Sequence, residues 1–246
     1  MRRPPAELPE AWRRVVMQRL AAWSRLDDVE RSDVEAIVGT LVTRKRWEAA
    51  HGYVLTDEAK LTIAAQASLL LLGDGFHVDA YGKVTSIVVH ASTIVVRGEQ
   101  AAHVPGLMSD DDSWLDGQAS ERGPIHLAWD AVLDDVRHPR RGRNVVVHEF
   151  AHVLDMLDGA VDGRPPLASH DRRRWDEVWE AELARQRAEP DDALFDEYAA
   201  ESAVELFAVA SEAFFTIGDV VRDERPELYD LLVRYYGQDP AARLAR

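Results

Sequence analysis

Apolar residues in the first third of the chain fall at helical spacing. Trp12, Val15, Val16, Leu20 and Trp23 recur every three or four positions, and Asp27-Asp28 interrupts them. Ser32 and Glu35 have the spacing of a capping box, with Val34, Ile37, Val38, Leu41 and Val42 following on one face. Thr56 is the expected N-cap of a further helix, with Asp57 and Glu58 well placed against its dipole. That helix runs through Ile63 to Leu72 and stops at Gly73. The period then changes. Val84 to His90 and Thr93 to Arg97 are rich in β-branched residues and predict strands, and Pro124 to Trp129 predicts one more, with His126 facing outward. Gln100 to Arg122 reads as loop, its Asp110-Asp111-Asp112 triplet as solvated. Helical patterns return at Asp130 to Val136, Arg143 to Leu157, His170 to Ala188, Tyr198 to Phe215 and Pro226 to Tyr236. Helices, a small sheet, then helices predict an α+β fold, mostly α. The expectation is a single domain over residues 1–246, with N-terminal helices over 10–73, the sheet over 84–129 and further helices over 143–236.

The stretch Arg143 to Leu157 breaks its own apolar pattern. Val145, Val146, Val147, Phe150, Ala151, Val153 and Leu154 make it apolar nearly all round, which predicts a buried helix. Yet it contains His148, Glu149 and His152 in the order H-E-x-x-H. A helix advances about 100° per residue, so residues four apart share a face and can aim two imidazoles at one point. Zinc takes neutral imidazole nitrogens, and a glutamate one step round can reach a water at the metal, the geometry of a metallopeptidase general base. The bland alternative is two core histidines satisfied by hydrogen bonds.

Composition narrows the choice. The 246 residues are 46% hydrophobic and 30% charged, and none is cysteine, so a metal must be held by histidine and carboxylate. A formal net charge of −15 argues against nucleic acid as the main partner. The start MRRPPAELPEAWRR has no apolar core for a signal peptide, and no apolar run is long enough to span a bilayer. A cytoplasmic location is the expectation.

A catalytic zinc usually has three protein ligands. The extension H-E-x-x-H-x-x-G-x-x-H is not met, because Asp155 and Asp158 stand at its glycine and last histidine positions. Asp158 is a minor candidate. The stretch DEYAAESAVELFAVASEAFF offers Glu205 in apolar company, with Glu201 and Glu212 near the same face. Spacing does not choose among these three. Asp155 and Glu212 are the candidates to accept the second N–H of a ligating histidine.

Several separated stretches together resemble the Mlc titration factor A family of zinc-dependent peptidases, whose catalytic region is similar to that of anthrax lethal factor. They are Trp47-Glu48, Ile63 to Ala67, Arg122-Gly123-Pro124, Leu127 to Asp130, HEFAHVLDM, Tyr198-Ala199-Ala200, and Glu205 to Phe215. The resemblance implies a zincin-like metallopeptidase domain with one Zn2+ per chain, held by His148, His152 and Glu205. It implies Glu149 as catalytic base, Tyr198 as an assisting residue facing the metal, and aminopeptidase-like activity on a peptide or protein substrate. The family name implies a second role, binding a transcriptional regulator. The chain departs from the family pattern at Ser202-Ala203, where an acidic-proline pair is expected, and at Gly117-Gln118, where Gly-Glu is expected.

Overall fold

The structure, a computed structural model, describes residues 8–50, 52–73, 78–92, 123–189 and 194–244. The first helix, α1 (Glu10–Arg19), stops before the 3-10 turn at Trp23–Arg25, which puts Trp23 into the core. The capping box of α2 (Asp28–Arg44) is not the expected one. Asp27 is the N-cap, accepting from the backbone N–H of Val29 and Glu30 at 3.0 and 2.9 Å, and Glu30 reaches back to the Asp27 N–H at 2.9 Å. Asp27 and Glu30 have the same i, i+3 spacing as Ser32 and Glu35 and come first in the chain, so the helix begins with them. Glu35 instead ties α2 to α1 through Arg13, at 2.6 and 2.8 Å.

A short strand, β1 (Arg46–Ala49), follows α2 within the stretch 10–73 where only helices are expected. Its four residues, RWEA, carry no apolar alternation, and none is fully buried. It pairs with β2 (Ser86–His90), which pairs with β3 (Ile125–Ala128), in the order β1-β2-β3 with both pairings parallel. Parallel neighbours need a crossover, and α3 (Asp57–Ser68) supplies the first one. Thr56 caps α3 as expected, accepting from Ala59 N–H at 3.2 Å, and the chain tightens into a 3-10 turn at Leu69–Leu71. The expected strand Thr93 to Arg97, the loop Gln100 to Arg122 with its aspartate triplet, and Gly117-Gln118 lie outside the described residues.

The register sets Val88 opposite His126 and Ile87 opposite Ile125. Ile87, Val89, Ile125 and Leu127 are buried on one face, and His90 and His126 share the other. His126 is half-buried rather than outward in solvent, its Nδ1 3.1 Å from His90 Nε2. Beyond the sheet come α4 (Trp129–Arg137), α5 (Val145–Asp155), α6 (Arg172–Ala188), α7 (Ala203–Glu224), α8 (Pro226–Tyr236) and α9 (Pro240–Leu244). The most extensive helix pairing is α5 on α7, and α5 also meets α3, α4 and β3. This enclosure explains why α5 is apolar all round. Among the described residues no helix is long and apolar enough to cross a membrane.

Candidate metal centre

The centre is built at the two ends of helices that touch. Asn144 caps α5: its Oδ1 accepts from Val147 N–H at 3.1 Å, and its Nδ2 donates to Gln66 of α3 at 2.9 Å. One turn into α5, His148 is fully buried and His152 half-buried, with their ring planes 82° apart and their Nε2 atoms 3.1 Å apart. From α7, Glu205 reaches across, its oxygens 3.2 Å from His148 Nε2 and 3.6 Å from His152 Nε2. Ser202 caps α7, its hydroxyl accepting from Glu205 N–H at 3.1 Å, which fixes the ligand helix within one turn of the carboxylate.

The donors fit a single zinc. His148, His152 and Glu205 each offer a ligand atom, all within 4.8 Å of one another, and no other such group occurs among the described residues. Two nitrogens bound to tetrahedral zinc at about 2.0–2.1 Å lie roughly 3.3 Å apart, close to the separation seen. The tautomer also fits. His148 Nδ1 donates to Glu212 Oε1 at 2.8 Å, so its Nε2 faces Glu205 and His152 with a lone pair once deprotonated. Glu212 is buried and its second oxygen accepts from the Asn144 backbone N–H, so it is fixed by the cap of the helix that it serves.

Burial and mutual contact shift the protonation of all three donors. Burial opposes a charge on His148, but hydrogen bonds to Glu205 and Glu212 outweigh it and hold its pKa well above the ordinary value. Burial, then the neighbouring His148, pushes His152 down to about 4. Burial of Glu205 is outweighed by its hydrogen bond to His148, which leaves its pKa lowered.

Glu149 lies beside this cluster. Burial, opposed by His148 and reinforced by Glu205 and Glu212, pushes its pKa up to about 7, and its Oε1 is buried without a hydrogen-bond partner among the described residues. Tyr198 stands on a 3-10 turn, Glu197–Ala200, just before α7, as the axial distance along a continuous helix requires. Its phenol is half-buried, and its pKa is raised by burial and then by Glu201, Glu197 and, after the opposing Arg143, Glu205. Of the competing carboxylates, Glu212 lies behind His148, and neither Glu201 nor Asp158 joins the donor group. Asp155 does not reach His152. It turns to the loop after α5, where its Oδ2 accepts from Gly163 N–H at 3.0 Å.

Sequence spacing missed two features of this region. Arg143, immediately before the cap, pairs with Asp196 ahead of the Tyr198 turn. Gln66 holds the cap from another helix. The partners are 53 and 78 residues apart, so no local pattern could reveal them.

The defining sequence pattern of the glucose-regulated metallo-peptidase M90 family matches residues 2–237. The chain belongs to this family. Mlc titration factor A of Yersinia pestis is 31% identical to it over 256 residues, covering 99% of this chain and 90% of the relative. The Yersinia pseudotuberculosis protein of the same name gives the same figures. An uncharacterized protein of Synechocystis is 33% identical over 239 residues, covering 95% of this chain and 86% of its own. A mostly helical fold with a small open parallel sheet and an HExxH helix is the zincin-like arrangement expected, and the distal Glu205 completes the one-zinc donor set of a zinc metallopeptidase.

Proposed function

We propose that this chain, as one domain in the cytoplasm, hydrolyses peptide bonds with zinc held by His148, His152 and Glu205. The observation that carries this reading is Glu149, a carboxyl next to the ligand His148 whose buried Oε1 has no hydrogen-bond partner among the described residues. A purely structural zinc site has no use for a base there. When bound, zinc supplies a Lewis acid that acidifies water and polarises a carbonyl. Glu149 accepts a proton from the attacking water and returns it to the leaving amine. Tyr198 donates a hydrogen bond to the oxyanion of the tetrahedral intermediate. Glu212 keeps His148 in the tautomer that exposes Nε2. An extended peptide would add alongside β3, which pairs only with β2 among the described residues. Aminopeptidase-like cleavage is the preference that the family resemblance suggests.

A second reading rests on the relatives' name. Mlc titration factor A is named for titrating Mlc, and the likeness covers nearly the whole chain. By that analogy this protein sequesters a transcriptional regulator and its zinc is structural or vestigial. The comparisons favour this role, and Glu149 favours hydrolysis. Glu149→Gln separates them. Zinc content should be retained and hydrolysis of a peptide library lost. Equal peptide turnover by wild type and variant would sink the hydrolytic reading. No turnover by either, with intact binding to a regulator, would establish the second.

A further inference from the structure

Tyr198 stands on a four-residue 3-10 turn, a short element with few hydrogen bonds of its own. The turn is gripped at both ends by arginines from other elements. At its far end Arg187 of α6 donates to the carbonyls of Ala200 and Glu201 at 2.9 and 3.1 Å. At its near end Asp196 caps the turn, its Oδ1 accepting from Tyr198 N–H at 3.3 Å and its carbonyl from Ala199 N–H at 2.9 Å. The other Asp196 oxygen pairs with the Arg143 guanidinium. The Asp196 side chain is only 9% exposed, whereas that of Arg143 is 63% exposed. A nearly buried carboxylate of this kind depends on its partner.

Arg143 also borders the metal centre. Next to it, Asn144 caps the helix of His148 and donates its backbone N–H to Glu212, the carboxylate behind His148. One ion pair therefore joins the start of the metal-binding helix to the backbone N–H of Tyr198. We propose that Arg143 and Asp196 are positioning residues that hold the Tyr198 turn in register with the His148–His152–Glu205 cluster. This rests on the reading above, in which the Tyr198 hydroxyl serves the oxyanion. Neither residue touches substrate; each acts through Tyr198.

The test uses the zinc-loaded full chain for kinetics and the metal-free chain for backbone exchange. Asp196→Ala and Arg143→Ala should lower kcat by about 10–100-fold with little change in KM, because small misplacement of a catalytic group costs this much. Zinc content should stay at wild-type level. In a Tyr198→Phe background either change should cost about twofold or less, since the two sites act as one unit. Arg143→Lys, which keeps the charge, should recover much of the loss. In metal-free protein, hydrogen–deuterium exchange over residues 194–201 should speed up in both alanine variants while α5 is unchanged. Losses of the same size in the Tyr198→Phe background, or zinc lost in step with kcat, would overturn the proposal. So would unchanged exchange over residues 194–201 in Arg143→Ala. If Tyr198→Phe alone keeps full kcat, the oxyanion reading falls, and the exchange result still decides whether Arg143 and Asp196 hold the turn.

Discussion

At the scale of single residues, the site depends on a few buried or half-buried polar groups. Tyr198→Phe removes one hydroxyl and should leave zinc bound while lowering kcat by about 10²–10³-fold, the usual cost of one oxyanion donor. Unchanged turnover at full zinc occupancy would remove Tyr198 from the mechanism. Asp155 gives a sharper electrostatic case. Burial pushes its pKa from 3.8 up to about 7, only partly offset by the Gly163 N–H, and its Oδ1 has no partner among the described residues. Folded protein then holds the Asp155 proton more tightly than unfolded protein does. Between pH 3.8 and about 7 the unfolded state binds fewer protons, so this residue's contribution to stability is full below that window, falls as pH rises through it, and levels off above. Asp155→Asn resembles the protonated acid and keeps an acceptor for Gly163. Its stability relative to wild type should therefore rise with pH across the window, by an amount on the order of a few kcal/mol. Denaturant titrations at pH 4, 5.5 and 7.5 would measure it, and a difference independent of pH would show that Asp155 is ionised throughout.

At the scale of elements, the two ligand helices are spaced by a loop rather than by their own side chains alone. Asp155 at the end of α5 holds Gly163, whose carbonyl accepts from Trp175 Nε1 of α6 at 3.2 Å. Gly163 has φ +72°, and a Cβ there would lie 2.1 Å from the Ala203 carbonyl at the start of α7. Only glycine lets the loop touch the turn of α7 that carries Glu205. Gly163→Ala should lower both thermal stability and zinc affinity, and calorimetry with zinc titration would record both. Intact zinc affinity in a destabilised variant would limit the loop to a fold role. This contact was not legible in the sequence, because Gly163 and Ala203 lie 40 residues apart. The HExxH helix was legible because its polar residues interrupt an otherwise apolar run at a spacing that geometry makes meaningful. Glu205 was narrowed to three carboxylates by apolar company, and family resemblance chose among them. β1 was hidden because its four residues carry no alternation; its strand character comes from pairing with β2, 40 residues along in register. The cap of α2 went astray because two boxes with equal spacing compete within one stretch.

At the scale of the whole molecule, a metal held by His148, His152 and Glu205 would fasten α5 to α7, the two helices packed most extensively on each other. Without metal, a doubly protonated His148 would do part of that work, bridging to Glu205 on one side and Glu212 on the other. Since His148 has its pKa raised in the folded state, this proton bridge contributes fully below pH 6.5, the ordinary value, and is lost as pH rises through the folded pKa. Zinc must displace the same proton, so its binding strengthens as the bridge weakens. The two fasteners therefore replace each other along the pH scale. Thermal melts with zinc and with chelator should separate increasingly from pH 6 to pH 8.5. With free zinc at about 100 times the Kd at pH 8.5, the stabilisation there is about 2.7 kcal/mol, or roughly 5–10 °C for a chain of this size. His152→Ala, which removes a ligand but leaves the His148–Glu205 bridge, should abolish the zinc-dependent separation while keeping the chelator curve near that of wild type. If melts with zinc and chelator coincide at every pH, zinc does not join the helices, whatever its part in hydrolysis. If the gap instead narrows as pH rises, the proton on His148 is not what the metal replaces.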